Sequence, residues 1–245
     1  MCVRLPGDQS LPEKFKGGVV AIGNFDGVHR GHQAVLRKAL DEAEKLGVPA
    51  LVLTFEPHPR KAFRPDVPLF VLTPPQMKAK LLNKLGFAAV VEQAFTREFS
   101  GKSAETFVTA ILEGNLGISH AVTGFNFHFG KDRQGGPAYL MDAGNRHGFG
   151  VTLVDAFRDE DASIVSSSRI RSLLSEGDVV QAAGLLGYRF TVEAEVVGGQ
   201  KLGRTLGFPT ANMRLPAETA LKEGIYAVRF RRADGTLHDA VASFG

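Results

Sequence analysis

Short apolar runs alternate with helical patterns up to about residue 187, and this alternation constrains the fold more than any other feature. The runs are GVVAI (18–22), ALVLTF (50–55), AAVVE (88–92), HAVTG (120–124) and VTLVDAF (151–157). Continuous apolar runs of this length are typical of strands buried on both faces. Helices between such strands form βαβ units, so the sequence predicts an α/β domain with a parallel sheet.

The intervening segments carry helix signals. Val35, Ala39, Ala43 and Leu46 recur at helical spacing, and Gly47 follows as a stop signal. Farther along the chain, the pair at 73–74 predicts a helix with a threonine N-cap and a proline in the first helical position.

The pattern changes near residues 184–189, where we expect a domain boundary between 1–186 and 187–245. RFTVEAEVV (189–197) alternates apolar and polar residues, as a half-buried antiparallel strand does. IYAVRF and LHDAVASF follow, and Asp234-Gly235 between them is a hairpin-turn signal. We therefore expect an antiparallel second region. So few strands leave unpaired edges, so we expect either that the region is completed by the first domain or a partner, or that the chain is a fragment of something longer.

Composition narrows the class of protein. The 245 residues are 44% hydrophobic and 22% charged, which is typical of a globular protein. No apolar run approaches the roughly 20 residues needed to cross a bilayer, and no secretion signal is evident. We therefore expect no membrane partner. The lone Cys2 excludes an internal disulfide and fits a reducing compartment, so we expect a cytoplasmic protein. No basic stripe interleaves with aromatics, so no nucleic-acid partner is expected.

GNFDGVHRGH (23–32) follows the first strand, and a helix is expected to begin near His29 or Arg30. Loop N–H groups and a helix N-terminus form an anion site, and His29 and His32 can face one spot on the first turn. Open α/β sheets bind ligands at this edge. Zinc binding is a weaker alternative, because no further ligand lies at a supporting spacing. A polar turn that binds no ligand is the other alternative, and this motif alone does not exclude it.

Three further motifs follow strands or begin helices. VSSSRIR (165–171) offers hydroxyls and Arg169 to phosphate oxygens, and TFEPHP (54–59) holds His58 in a rigid turn. GFNFHFGKDRQGG (124–136) places Asn126 among three phenylalanines, which are hard to explain as core in a loop and could form a slot for a flat ring. A local aromatic cluster is the alternative for this loop.

In their order and spacing along the chain, GNFDGVHRGH, TFEPHP, GFNFHFGKDR and VSSSRIR resemble the adenylyltransferase module of the prokaryotic bifunctional riboflavin kinase/FAD synthetase family. GQKLGRTLGFPTAN (199–212) resembles the signature of that family's riboflavin kinase module. The H-x-G-H element alone is shared by many nucleotidylyltransferases, but its combination with the Asn126 loop and the second signature is specific.

The resemblance implies a Rossmann-like nucleotidylyltransferase domain followed by part of an antiparallel β-barrel. It implies FAD biosynthesis, in which AMP passes from ATP to FMN with Mg²⁺ and pyrophosphate leaves. It implies catalytic roles for His29, His32, Asn126 and Arg169. It implies ATP binding by Gly23, Asn24, Phe25, Asp26, Gly31, Ser166, Ser167 and Ser168, where the family more often has Thr at the last position. It implies flavin binding by Phe55, His58, Pro59, Phe127 and Phe129.

The resemblance also assigns residues to the kinase module, which phosphorylates riboflavin with ATP. Thr210 and Asn212 are expected at Mg²⁺ and the ATP phosphates, with Gly203, Arg204 and Gly207 shaping the nucleotide loop. The family's catalytic glutamate lies well downstream, whereas the glutamates after Asn212 are at 218 and 223. We therefore expect riboflavin kinase activity to be absent from this chain, although a full-length parent would have it.

Two other functions remain open at this point. A related nucleotidylyltransferase could act on a different phosphate acceptor, such as phosphopantetheine or a sugar-alcohol phosphate. A non-catalytic nucleotide- or flavin-sensing module would bind the same ligands without releasing pyrophosphate.

Overall fold

A computed structural model describes residues 3–198 and 210–245. Its contacts form two compact units, Met1–Ser167 and Ser168–Gly245. Among the described residues, no helix combines the length and the hydropathy that a bilayer crossing needs.

The first unit is built on a six-stranded sheet in the order β1-β4-β3-β2-β5-β6, with every neighbouring pair parallel. The strands are β1 Val3–Pro6, β2 Val19–Ile22, β3 Ala50–Glu56, β4 Ala89–Ala94, β5 His120–Gly124 and β6 Gly150–Val154. The predicted parallel sheet is confirmed. The edge strand β1 was not predicted, because its short, largely exposed sequence VRLP has no apolar run.

Helices connect these strands. They are α1 Arg30–Leu46, α2 Pro59–Phe63, α3 Pro75–Leu85, α4 Arg97–Ser100, α5 Ala104–Thr106 and α6 Pro137–His147. A π-helical segment, Phe107–Asn115, continues α5, and single 3₁₀ turns lie at Glu13–Phe15 and Lys131–Arg133.

The longest helix, α1, shows how local signals set its limits. His29 is its N-cap, and Gly47 ends it in the left-handed conformation (φ 66°) that glycine adopts without strain. Val35, Ala39 and Ala43 are buried as their spacing predicts, whereas Leu46 in the last turn is 51% exposed.

The predicted start of α3 was wrong by one residue. The helix begins at Pro75, and Pro74 before it is extended (φ −53°, ψ 155°), because a residue that precedes proline disfavours helical dihedrals. Thr73 does not cap the helix. Its hydroxyl instead accepts a hydrogen bond from the backbone N–H of Gly27 (2.8 Å).

Two hydrophobic clusters cover the two faces of the sheet. Val20 and Ile22 of β2 belong to a cluster that includes the π-helical residue Leu112, whereas Val19 and Ala21 pack with the apolar face of α1. Successive residues of β2 thus point into different clusters, which is why this strand reads as a continuous apolar run.

The second unit contains short helices and two small antiparallel sheets. Its elements are α7 Ser167–Glu176, which begins at the last residue of the first unit, α8 Val179–Leu186, β7 Val196–Val197, β8 Asn212–Met213, β9 Gly224–Arg231 and β10 Leu237–Phe244. Strands β9 and β10 pair antiparallel around the predicted turn, with Gly235 at φ 88°. The strand predicted over 189–197 is mostly wrong: within the described part of the chain only β7 pairs, with β8, and the residues before it lack a neighbouring strand.

Candidate active site

The order of the strands places the site. The chain leaves β2 toward β3 and β4, then crosses back to β5 on the other side of β2. The crevice at the carboxyl ends of β2 and β5 is therefore the topological switch point, where open α/β sheets bind ligands. Residues 23–29, which we call the phosphate loop, follow β2, and residues 125–136, the aromatic loop, follow β5.

The two histidines form a stack at the start of α1. The backbone N–H of His32 donates to His29 Nδ1 (3.3 Å), and the two imidazole rings lie 3.6 Å apart at 18°. The Phe25 ring meets His32 edge-on at 5.4 Å. Both imidazoles are thus held beside the N-terminal N–H groups of α1, where negative charge is favoured.

The surroundings of His32 keep its ring neutral. Burial lowers the pKa of His32 well below 6.5, and the neighbouring His29 and Lys78 lower it further. Its Nδ1 atom is buried and has no hydrogen-bond partner among the residues that the structure describes. A buried ring nitrogen without a partner is rare, so this atom marks a place where a ligand can complete the bonding.

The phosphate loop carries backbone strain. Phe25 (φ 48°) and Val28 (φ 38°) occupy the left-handed region, which is unusual for residues other than glycine and most unusual for a β-branched one. Both side chains are only 2% exposed, so their burial holds the backbone in this conformation. Strain of this kind is characteristic of ligand-binding turns.

Asp26 connects the phosphate loop to two other segments. Its carboxylate oxygen Oδ1 accepts from the backbone N–H of Thr73 (3.0 Å) and lies 3.3 Å from the Thr73 hydroxyl. Its backbone carbonyl accepts from the Ser167 hydroxyl (2.8 Å). The structure therefore brings Ser167 to the loop, and the Asp26 side chain fastens the loop to the segment before α3.

Lys78 was missed by the sequence analysis. It lies on α3, its side chain is only 5% exposed, and its ammonium pairs with Glu56 at 2.7 Å. Lys78 Nζ also donates to the Asn24 carbonyl (3.1 Å) and to the Thr54 hydroxyl (3.0 Å). The signal was a lysine four residues before the buried Leu82, on the apolar face of the helix.

The aromatic loop is partly core. The expectation that its phenylalanines lie outside the core is wrong for Phe129, which is 6% exposed and packs 4.9 Å from Phe107. The Phe127 ring stacks on it at 5.5 Å and is partly buried, whereas Phe125 is 43% exposed. The reason is that the helical segment beginning at Phe107 passes under the loop. Asn126 stays exposed between these rings.

The segment after β3 contributes a second aromatic group. Phe55 is 6% exposed and lies 6.0 Å from both Phe95 and Phe99. His58 is the N-cap of α2, with its Nδ1 accepting from the Arg60 N–H (3.1 Å), and Pro59 is the first residue of that helix.

With this geometry established, comparison with known proteins identifies the family. Residues 11–169 match the FAD synthetase family, and residues 186–245 match the riboflavin kinase family. The chain belongs to the bifunctional riboflavin kinase/FMN adenylyltransferase family.

Members of this family resemble the chain along most of its length. The bifunctional riboflavin kinase/FMN adenylyltransferase of Escherichia coli (strain K12) is 37% identical over 213 residues, which is 87% of this chain and 68% of the relative. The protein of the same name from Pseudomonas fluorescens is 39% identical over 239 residues, 98% of this chain and 76% of the relative. The protein of the same name from Listeria monocytogenes is 40% identical over 231 residues, which is 93% of this chain and 72% of the relative.

A solved structure shares the fold. The crystal structure of a protein named macrolide-efflux protein, from Streptococcus pneumoniae, is 29% identical with a TM-score of 0.87. The similarity covers 99% of this chain and 79% of that chain.

The remaining residues that the family resemblance singled out lie in several places. Ser166 precedes α7, and Ser168 and Arg169 lie in its first turn. Thr210 is exposed, and Asn212 is exposed in β8. Gly203, Arg204 and Gly207 fall within 199–209, outside the described residues. In the described ranges, no group of three or more His, Cys, Asp or Glu side chains could hold a metal ion.

Proposed function

We propose that this chain is an FMN adenylyltransferase, which transfers the AMP moiety of ATP to FMN and releases pyrophosphate. The observation that carries the proposal is the stack of His29 and His32 at the start of α1, at the switch point of the sheet. The FAD synthetase match over the same region supports FMN as the acceptor.

The chemistry requires positioning more than proton transfer. An oxygen of the FMN phosphate forms a bond to the α-phosphorus of ATP, and the bond from that phosphorus to the bridging oxygen of pyrophosphate breaks. The attacking oxygen is already ionised at neutral pH, so no strong general base is needed. The protein must align two polyanions and stabilise charge on the α-phosphate.

His29 and His32 supply that stabilisation in our proposal. His29 Nδ1 accepts a hydrogen bond, so its neutral ring carries the proton on Nε2 and can donate there. The approach of a polyanion favours the charged form of an imidazole, so phosphate binding raises the proton affinity of the buried His32 ring. The N-terminal N–H groups of α1 add further donors.

Residues around the phosphate loop hold ATP in this proposal. Gly23, Asn24, Phe25 and Asp26 form the loop itself, and Gly31 leaves room for the His29 ring, which a Cβ at position 31 would approach to 3.2 Å. Ser166, Ser167, Ser168 and Arg169 would bind the triphosphate. The Ser167 hydroxyl bonded to the loop supports this assignment.

The flavin occupies the aromatic side of the crevice. Asn126 is exposed, so its amide can orient the FMN phosphate or ring. We assign Phe55 and Phe129 to the floor of the flavin site because their rings are buried, and Phe127, His58 and Pro59 to its partly exposed wall.

The second region carries the riboflavin kinase match, and we propose that Thr210 and Asn212 bind Mg²⁺ and ATP phosphates there. Their side-chain oxygens are the hard donors that Mg²⁺ prefers, and both residues are exposed, which leaves room for phosphates and water. Bound Mg²⁺ would supply charge neutralisation on the phosphates. That this chain forms little FMN from riboflavin stays a prediction.

The test incubates the chain with ATP and Mg²⁺ and with FMN, riboflavin or phosphopantetheine, following pyrophosphate release and the products chromatographically. FMN should yield FAD, and the His32→Ala variant should lower kcat by roughly 10²–10³, as loss of one oxyanion donor does. Pyrophosphate release with phosphopantetheine but not FMN would identify the alternative acceptor. Ligand binding without any pyrophosphate would identify a sensing module.

A further inference from the structure

Lys78 is a buried charge that the proposed chemistry does not use. Its side chain is 5% exposed, and burying an ammonium is costly unless it is paired and hydrogen-bonded. All three of its donors have a partner: the Glu56 carboxylate at 2.7 Å, the Thr54 hydroxyl at 3.0 Å and the Asn24 carbonyl at 3.1 Å.

These partners reach beyond a simple ion pair. Thr54 and Glu56 lie on the same face of β3, so both side chains can reach Lys78. The Glu56 carboxylate alone would already neutralise the ammonium. The Thr54 hydroxyl also donates to the Asn24 carbonyl (3.1 Å), so that carbonyl receives two hydrogen bonds. Lys78 and Thr54 therefore fix the backbone of the phosphate loop at its second residue.

The fixed carbonyl lies next to the strained part of the phosphate loop. Asn24 directly precedes the strained Phe25, whose ring supports His32 at 5.4 Å. The Asn24 side-chain oxygen Oδ1 is buried and, like His32 Nδ1, is without a hydrogen-bond partner in the described part of the chain. One of these atoms thus belongs to the residue whose carbonyl Lys78 binds, and the other belongs to the ring that Phe25 contacts.

We propose that Lys78 is a positioning residue for adenylyl transfer, which holds the phosphate loop in the arrangement that receives the triphosphate of ATP. This inference rests on the proposed function. Lys78 acts through Asn24 and Thr54 and does not itself need to touch the substrate. The charge of Lys78 also affects His32, because Lys78 is one of the groups that lower the pKa of that imidazole.

The test separates positioning from neutralisation of Glu56. Lys78→Met leaves Glu56 unpaired and can impair folding, whereas Lys78→Met combined with Glu56→Leu removes both charges, an exchange that is often tolerated. The double variant should fold, as judged by a cooperative thermal transition. It should nevertheless lose about 10²-fold in kcat/KM for ATP, the scale of a 1 Å misplacement, with KM for FMN little changed.

The pH dependence of kcat/KM for ATP distinguishes a positioning role of Lys78 from a purely structural one, which would leave the profile unchanged. Without the ammonium, the pKa of His32 rises, so the limb of the pH profile of kcat/KM for ATP that reports on this imidazole should shift to higher pH in the double variant. Lys84→Met, an exposed lysine on the same helix, is the matched control and should keep the profile of the unmodified chain.

The outcomes distinguish this inference from the proposed function. Full activity of the double variant, or an unshifted His32 limb in its pH profile, would show that Lys78 only compensates Glu56. Absence of FAD synthesis by the unmodified chain would instead overturn the proposed function itself.

Discussion

The buried imidazole of His32 couples the stability of the fold to pH. Its folded-state pKa lies well below 6.5, so below pH 6.5 the unfolded chain binds a proton there before the native protein does. The free energy of unfolding therefore falls as pH decreases through this window, by up to about 1.4 kcal/mol per pH unit for one proton.

Urea unfolding of the unmodified chain and of His32→Gln, at about pH 7.5 and about pH 5.5, measures this contribution. The variant should lose less stability on acidification. His120, whose pKa burial also lowers, contributes equally to both proteins and cancels in the comparison. Equal losses in the two proteins would show that His32 does not stay neutral in the native state.

Gly31 lies close against the His29 ring of the histidine stack. A Cβ at this position would lie 3.2 Å from the His29 ring and 3.3 Å from the Val165 carbonyl oxygen, so Gly31→Ala should displace the ring. We predict a loss of about 10-fold or more in kcat/KM for FAD synthesis, because catalysis depends on the positions of charge-stabilising donors. Steady-state kinetics measures this loss.

Gly184→Ala is the matched control, since it lies within α8 and a Cβ there meets nothing within 4 Å. It should leave FAD synthesis unchanged and raise stability by about 0.5–1 kcal/mol. If Gly31→Ala were as active as this control, the stack would not be part of the catalytic apparatus.

At the residue scale, the sequence predicted where the imidazoles lie but not what surrounds them. The spacing of His29 and His32 was enough to place both on the first turn of α1. Lys78 could not be predicted, because its burial depends on how α3 packs against β3 and the phosphate loop. Phe129 was misjudged for the same reason, since only the tertiary structure brings Phe107 beneath it.

At the element scale, the join between the phosphate loop and α3 is a structural constraint on the site. Thr73 accepts from the buried Gly27 N–H and lies within bonding distance of Asp26. Thr73→Val removes the acceptor and leaves that N–H unsatisfied, which should lower the free energy of unfolding by about 1–3 kcal/mol. Urea denaturation measures this change.

Thr109→Val removes an exposed hydroxyl, which donates to the Glu105 carbonyl, and serves as the control. It should change stability by less than about 0.5 kcal/mol. Equal effects from the two substitutions would mean that the loop is not held by Thr73.

The elements themselves were predictable where pattern and burial agree. The apolar runs became β2 to β6 because each is covered on both faces, and Asp234-Gly235 set the turn of the β9–β10 hairpin. The strand prediction for 189–197 was mostly wrong, because alternation indicates a preference for one buried face but does not supply a neighbouring strand. The prediction that Thr73 caps α3 was wrong because its hydroxyl binds the Gly27 N–H of the phosphate loop instead.

At the scale of the whole molecule, the sheet order explains why one site gathers distant motifs. The βαβ pattern predicts a parallel sheet, whose carboxyl ends share an edge, but it does not predict that β2 lies between β3 and β5. That order depends on long-range packing between helices and strands, which no local sequence pattern contains. It places the phosphate loop and the aromatic loop after neighbouring strands, at the switch point of the sheet.

The division of the chain leads to a prediction about the location of the activity. The FAD synthetase match ends at residue 169, and α8 ends at Leu186 before Gly187 in the left-handed conformation (φ 77°). We predict that the chain shortened to residues 1–186 forms FAD from FMN with kcat within about threefold of the longer chain, since activity follows from the site rather than from chain length. Loss of activity in a folded short chain, verified by circular dichroism, would contradict this boundary.

Isotope tracing tests directly whether the AMP moiety of ATP is transferred to FMN. The chain is incubated with FMN, Mg²⁺ and ATP labelled with ³²P at the α-phosphate, and the products are separated by chromatography. We predict that the label appears in FAD and that pyrophosphate is unlabelled. Label found only in ADP or free AMP, with no labelled FAD, would contradict it.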